Sequence, residues 1–558
     1  MQSVHSRPIF QTPKAWRRPD VLAASLLTNI LALGLPFVIL QVYDRIIPNQ
    51  ATDTFLFLLF GIVVIVIFDG LIKTFRSAIL SWEGAKYDHM MSMQAVEHIL
   101  HTDATSFESK PYGYYLDKIH ALEQVQEFYS GQSILLMMDL PFVIIFMTLV
   151  WFIAGPLVFI PITLLLIFGI ISIATGQNLH SALLNRSEME DRRQNFIIEV
   201  LSGIHTVKAM AMEPFMMRRY ERLQGQSAES IYQLSRINSI VQGIGATFSQ
   251  VAVISFVSIG SLFVIDGELT MGALAAGTML SGRVLQPGLK AMGIWTQFQS
   301  IRLAHRKVKE LLDMPGEISG DIQIGDDFKG SIELKNIDFK YPGNDKNILE
   351  KVSLKIDANE MIGITGSNGV GKSTLIKLLA GYIHPDRGEI LIDDQNIAEY
   401  DLEQIRAQIG IVPQYGILFE GTILENMTLY REGEAVDEAI DLSRLLGLEE
   451  IIARMPQGLD TKVGGAAVDT LSEGVRQKII MVRSLVGHPK IILFDDANAN
   501  FDLKNDGRLL TFMSSIRGKR TIIIVSHRPS YLRLCHRNFT IENKHLYENK
   551  IEGVRKYG

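Results

Sequence analysis

Residues Gly366 to Thr374 read GSNGVGKST, and every residue type in that run has a task in holding a polyphosphate. Gly366, Gly369 and Gly371 let the backbone bend, so that successive N–H groups along Ser367, Asn368 and Val370 face one anion. Lys372 reaches the β- and γ-phosphates, and Ser373, followed by Thr374, offers a hydroxyl to Mg²⁺. The flanks fit the same chemistry. MIGITG before the loop is a short apolar strand, and LIKLLAG after it starts a helix whose dipole favours phosphate. A second chemical signal is KIILFDD, where Asp495 follows four apolar residues, the pattern of a buried strand delivering a carboxylate to a metal ion.

The elements that position these residues divide the chain in two. Apolar residues make up 47% of the 558, and the mean hydropathy of +0.18 is high for a soluble protein. The excess sits before about residue 300, in six stretches near the ~20 residues that a spanning helix needs: 22–42, 54–74, 134–153, 157–176, 241–265 and 271–295. Lys14, Arg17 and Arg18 precede the first, but its apolar run is too long for a signal peptide and no small-residue cleavage site follows before VYDRIIP. The short turns at 154–156 and 266–270 contain no Lys or Arg, and 43–53 contains only Arg45. The Lys/Arg bias therefore puts the N-terminal segment 1–20, the segments 75–132 and 177–240, and the nucleotide site in the cytoplasm. Those two long segments carry helical periodicity and are expected to extend the spans into the cytoplasm, with turn-like tips at KPYG (Lys110 to Gly113) and MEPF (Met212 to Phe215).

Residues 313–330 are rich in Gly, Asp and Pro without apolar periodicity and are read as a linker between a transmembrane domain, 21–312, and a nucleotide-binding domain, 331–558. In the latter, strand-like runs alternate with helical ones around a helical stretch at 422–485, which argues for an α/β domain with a helical subdomain. A net charge of −6 gives no hint of a nucleic-acid partner, and the single Cys535 excludes an intrachain disulfide.

The remaining motifs follow the order of an ABC transporter's ATPase domain, and the chain as a whole resembles an exporter-type half-transporter over residues 20–550. VYDRIIP, MDLPFVIIF, MLSGRVLQP, IVPQYGILFEGTILENM and VSHRPS look most similar to the type I protein-secretion ATPase/permeases. The resemblance implies an all-α six-helix transmembrane domain followed by an α/β P-loop ATPase domain. It also implies roles for single residues: Tyr341 stacking on adenine, Gln414 sensing the γ-phosphate through Mg²⁺, Ser373, Gln414 and Asp495 around the metal, Asp502 crossing a dimer interface, and His527 as the switch histidine at the γ-phosphate. ATP and Mg²⁺ are the expected cofactors.

Two positions depart from that family. Where a glutamate that orients or deprotonates the attacking water is usual, this chain has Asp496, one methylene shorter; a displacement of about 1 Å can cost roughly 10²-fold. Where the signature reads LSGGQRQ, this chain has LSEGVRQ, Leu471, Ser472, Glu473, Gly474 and Val475 followed by Arg476 and Gln477. Glu473 would bring a carboxylate toward a triphosphate, and Val475 lacks the donors and acceptor of a glutamine. TKVGGAAVDT places Gly465 where a glutamate is expected. Slow hydrolysis follows, and a heterodimer with a more active half is favoured over a homodimer.

Arg283, Gln286 and Lys290 lie at helical spacing in the sixth span and form one polar stripe, either a basic lining of the translocation path or a helix–helix pair. Asp139, just before Pro141, is read as marking a proline-induced helix irregularity. The leading function is ATP-driven export of a polypeptide from a Gram-negative cytoplasm, through the inner membrane, with a periplasmic adaptor and an outer-membrane channel by resemblance. A lipid, drug or peptide exporter and a mainly regulatory ATP-binding half-subunit remain open. Only about 20 residues precede the first span, so leader-peptide processing by an N-terminal peptidase domain is not expected.

Overall fold

The computed structural model describes residues 18–465, 471–499 and 501–549, with the side chains of 130, 132, 133, 172–180, 287–297 and 299 outside that description. Two compact units emerge. One takes the chain up to His101 together with Ser109–Met314; the other takes Thr102–Glu108 together with everything from Pro315 onward.

The first unit is built of helices. Four of its segments among the described residues are long and apolar enough to cross a membrane: Pro19–Asn49, Thr52–Leu100, Tyr112–Ile171 and Glu213–Ile265. The third holds the expected span 134–153 and most of the expected span 157–176, with the 3₁₀ turn Gly155–Val158 at their junction. The expected sixth lies within the helix Met271–Leu312. Large apolar side chains face outward along these helices, as at Phe57 and Phe152, each 79% exposed, which suits a lipid surroundings rather than water. The helix Thr52–Leu100 has 49 residues; at 1.5 Å per residue it is about 73 Å long, more than twice the roughly 30 Å hydrocarbon layer. Proline starts helices where its missing N–H costs nothing, at Pro19 and at Pro214 within MEPF.

Two polar contacts organise the unit. VYDRI forms a π-helical turn, Val42–Ile46, from which Asp44 accepts the Thr270 hydroxyl at 2.6 Å and the Gly272 N–H at 2.8 Å. The carboxylate thus caps the helix Met271–Leu312 from another element. At Asp139 the helix does break, between Gln132–Asp139 and Phe142–Ala154, as Pro141 dictates. The carboxylate also has partners that the sequence reading did not foresee: Asn29 Nδ2 at 3.0 Å and the buried Arg76 guanidinium at 3.4 Å.

The second unit is α/β. Its strands are β1 (Ile332–Phe339), β2 (Leu349–Ile356), β3 (Met361–Thr365), β4 (Arg387–Ile392), β5 (Gln395–Asn396), β6 (Ile409–Val412), β7 (Gly421–Thr422), β8 (Lys462–Val463), β9 (Ile491–Asp495), β10 (Thr521–Val525), β11 (Arg537–Glu542) and β12 (His545–Asn549). An antiparallel sheet runs β2-β1-β4-β5, and a larger sheet runs β12-β11-β3-β10-β9-β6. In the larger sheet β11, β3, β10, β9 and β6 are mutually parallel. β3, β6, β9 and β10 are almost uninterrupted apolar runs, Thr521–Val525 being wholly buried, as strands covered on both faces require, whereas β11, RNFTIE, is only partly buried. The helical stretch at 422–485 comprises Ile423–Thr428, Glu434–Leu445, Glu449–Ile452 and Glu473–Leu485. Residues 315–330 have no helix, and Gly320 and Ile322 donate to the carbonyls of Tyr400 and Glu399. The short helix Ala104–Glu108 belongs to this unit through Glu108, which pairs with Lys377 at 2.9 Å.

Candidate functional site

Four parallel neighbours end at one edge of the large sheet, and each delivers a residue named above. β3 runs into the phosphate loop, β9 ends on Asp495, β10 leads through Ser526 to His527, and β6 leads through Pro413 to Gln414. Ligands of open α/β sheets bind outside the carboxyl ends of the strands, so topology alone brings together residues spread over 160 positions of sequence.

The phosphate loop has the backbone its glycines were expected to provide. Gly366, Gly369 and Gly371 have φ of +148°, +82° and +105°, and a side chain at Gly366 would meet the Ile541 carbonyl at 2.7 Å. The helix Lys372–Leu379 follows directly. Lys372 Nζ is folded back onto the carbonyls of Gly366 and Ser367, both at 2.9 Å, so the loop's cation is held over the cradle where anionic oxygens would replace those carbonyls. Tyr341 packs edge-on against Phe339, 5.0 Å between centroids, with its hydroxyl 3.4 Å from Thr374 Oγ1.

Asp495 is shifted up from the ordinary carboxylate range. Burial is the main cause, the neighbouring Asp496 adds to it, and the Ser373 hydroxyl bond and Lys372 oppose it. A half-dry carboxylate already joined to a serine hydroxyl is the hard-oxygen donor pair that suits Mg²⁺. Asp496 has φ +46°, a left-handed conformation held by its N–H to the Val525 carbonyl at 3.0 Å. Its Oδ2 lies 3.8 Å from His527 Nε2, so the two groups expected at the γ-phosphate face each other across the ends of β9 and β10. Asp502 caps the helix Leu503–Ile516, accepting the Asn505 N–H at 2.8 Å.

The signature begins the helix Glu473–Leu485. Leu471 is half-buried, and Ser472 is the N-cap residue without a capping bond from its side chain, leaving the hydroxyl for another acceptor. Glu473 pairs with Arg476 at 3.3 Å. Val475 is buried in the core of the helical region, so its side chain packs inward where sequence reasoning saw only a lost ligand. Gly474 lies in the same first turn. Gly465 has φ +71°, a backbone that a glutamate adopts only with strain, so the departure there matches its local geometry; residues 466–470 lie outside the described residues. In the first unit Arg283 and Gln286 are exposed on one side of their helix, with Val284 and Leu285 buried between them, and Lys290 lies outside the described side chains.

Sequence reasoning missed Asp506 and Arg528, and it named Gln477 in the signature without foreseeing its contact. Gln477 donates to the Pro413 carbonyl at 2.7 Å, and Arg528 pairs with Asp506 at 2.7 Å. For Arg528 the one available signal was its place next to His527.

Comparison with known proteins agrees with this architecture. Residues 349–499 match the ABC transporter family and residues 21–287 match the ABC transporter transmembrane region. The alpha-hemolysin translocation ATP-binding protein HlyB of Escherichia coli O157:H7 is 31% identical over 95% of this chain and 75% of its own length. This chain is a member of the ABC transporter family. The cyclolysin secretion/processing ATP-binding protein CyaB of Bordetella pertussis is 29% identical over 95% of the transporter and 74% of its own length, and the leukotoxin translocation protein LktB of Mannheimia haemolytica is 29% identical over 95% and 75%. A solved bacterial Atm1-family ABC exporter with ATP bound superposes with a TM-score of 0.84 at 22% identity, covering 95% of the transporter and 93% of that chain, which establishes the common fold. The transporter is thus a multi-pass membrane protein of exporter fold whose ATPase domain binds ATP and couples its hydrolysis to transport, related to the type I secretion ATPase/permeases.

Proposed function

We propose that this transporter is the inner-membrane ATPase/permease of a type I secretion system, moving a polypeptide out of the cytoplasm, with slow hydrolysis of its own. The translocation and secretion roles that HlyB, CyaB and LktB are named for, in proteins matched over 95% of this chain, carry the substrate class. In this reading the phosphate loop from Gly366 to Thr374 and Tyr341 hold ATP, and Lys372 exchanges its two carbonyl partners for phosphate oxygens. Ser373, Gln414 and Asp495 would hold Mg²⁺, which when bound supplies charge neutralisation of the β- and γ-phosphates. Asp496 and His527 flank the attacking water, and Ser472 with the first turn of Glu473–Leu485 serves the ATP of a partner subunit. Asp502 meets that partner, and Arg283, Gln286 and Lys290 line the path. The N-terminus and ATPase domain are cytoplasmic, and a periplasmic adaptor and outer-membrane channel complete the route.

Asp496 in place of glutamate favours a second feature, pairing with a more active half-transporter. In a sandwich dimer each ATP lies between one chain's phosphate loop and the other chain's signature. A homodimer would then combine Asp496 and Glu473 at both sites, whereas a heterodimer would separate them. ATPase measurement on the purified chain alone tests this: turnover on the order of 0.1 s⁻¹ or less is expected against the ~10 s⁻¹ median of enzymes, and brisk turnover sinks it. The regulatory reading, in which this half only glues the dimer, predicts unimpaired transport when turnover here is abolished. Co-purification from native membranes with mass spectrometry identifies partner, adaptor and cargo.

A further inference from the structure

Asp496 sits in a left-handed backbone, φ +46°, at the start of a tight turn in which the Ala499 N–H returns to the Asp496 carbonyl at 3.1 Å. Such a conformation persists only where surrounding structure over-determines it. One restraint is the Asp496 N–H bond to Val525. The other comes from the residue after His527. Arg528 Nη1 lies 2.7 Å from Asp506 Oδ1, and its Nη2 points at the carbonyls of Ala499 and Phe501, each at 3.4 Å. Asp506 is buried, and the same Oδ1 also accepts the Tyr531 hydroxyl at 2.7 Å and the Asn498 amide at 3.4 Å. The Arg528 backbone N–H bonds Ser526 Oγ at 3.2 Å, so the turn carrying His527 is fixed as well.

We propose that Arg528 is a positioning residue for hydrolysis: its guanidinium fork, anchored on Asp506, locks the turn that begins at Asp496 to the turn that carries His527. A planar fork suits this task because one nitrogen can hold the buried carboxylate while the other reaches two backbone carbonyls. The fork bonds protein groups, Asp506 and the carbonyls of Ala499 and Phe501, and on the function proposed above it sets the register of Asp496 and His527, the two groups that flank the water. Tyr531 binds Asp506 without reaching the carbonyls of Ala499 and Phe501, so its work is to satisfy the carboxylate, whereas Asn498, inside the turn, adds only a longer bond to the same oxygen.

The lysine variant separates these roles, since Arg528→Lys keeps a cation for Asp506 and loses the fork. In the full-length chain in nanodiscs, it should bind the fluorescent analogue TNP-ATP with native affinity and keep its thermal midpoint. Its single-turnover hydrolysis of radiolabelled ATP should fall on the order of tenfold, with the half-saturating ATP concentration unchanged. Tyr531→Phe should lower the midpoint and keep the rate. Native turnover in Arg528→Lys overturns the proposal, as does a rate loss matched by lost nucleotide affinity, or a Tyr531→Phe rate as low as that of the lysine variant. If the lysine variant does not accumulate, Arg528→Gln, which keeps a donor and drops the charge, is held to the same criteria.

Discussion

Glu473 forms an ion pair with Arg476 at 3.3 Å, one turn along the same helix. The carboxylate that stands where the family has glycine is therefore partly answered from within the chain. The pair is 39% and 26% exposed on its two sides, and such a surface pair contributes about 0–1 kcal/mol. It does not offset what a second anion costs beside a triphosphate: at ~8 Å and an effective dielectric of ~20, two unit charges repel by about 2 kcal/mol. Glu473→Gly is expected to raise turnover roughly tenfold in the chain that serves as its partner, at a stability loss of about 0.5–1 kcal/mol from glycine in a helix. Steady-state ATPase and thermal unfolding of the same preparation check both numbers, and unchanged turnover refutes the electrostatic argument.

Asp496→Glu extends the other departure toward the attacking water. The longer side chain should bring hydrolysis up by about 10- to 100-fold, with nucleotide affinity unaltered. The left-handed φ of +46° opposes the gain, because aspartate tolerates that region better than glutamate; a loss of about 1 kcal/mol in stability is expected alongside. Turnover that stays flat while the fold holds would show that the carboxylate's reach is not what limits the rate.

How far the sequence could be read depended on the distance over which each inference ran. GSNGVGKST, the strand before it and the helix after it are contiguous, and KIILFDD carries its own burial pattern, so both were legible. The short β7–β8 pair and the C-terminal β11 and β12 were not, because their pairing partners are fixed by packing. Gln477 reaches Pro413 across 64 positions, and Arg76 reaches Asp139 across 63; no local period encodes such contacts. The packing of Val475 was out of reach for a related reason. Its hydrophobicity was visible, but which side of the helix meets the core became clear only once the helical region was assembled.

Asp393 offers a pH-dependent test of the ATPase unit. Its carboxylate accepts the N–H groups of Lys329, Gly330 and Ser331 at 2.7–2.9 Å and the Ser331 hydroxyl at 2.9 Å. Burial raises its pKa, but these bonds together outweigh that and hold it below the ordinary value. A depressed folded-state pKa contributes stability above the unfolded value, and that contribution is lost as pH falls through the folded one. Thermal unfolding of the native chain should therefore weaken from pH 5 downward, and Asp393→Asn should be less stable at pH 7 by about 1–3 kcal/mol with a flatter acid profile. Equal acid sensitivity in the two proteins would assign the effect to other carboxylates.

Gln477 ties the helix that opens with the signature to the residue preceding Gln414. It is 1% exposed, and its Nε2 gives the Pro413 carbonyl a bond of 2.7 Å. Arg483 on the same helix donates to Ile417 at 2.8 Å, and Ser484 donates to the Ile411 carbonyl at 2.5 Å. Three side chains of this helix, Gln477 and, about two turns on, the adjacent Arg483 and Ser484, thus hold the segment from 411 to 417, and Gln414 sits in its middle. Gln477→Met keeps the volume while removing the donor, so the Pro413 carbonyl loses a buried partner at a cost of about 1–3 kcal/mol. The segment then moves more freely at Gln414 than at its ends, where Ser484 and Arg483 still act. The expected result is a rise in the Mg²⁺ concentration needed for half-maximal ATPase, with nucleotide affinity in the absence of Mg²⁺ unchanged. A variant that loses stability but keeps its Mg²⁺ dependence would make Gln477 a core residue and nothing more.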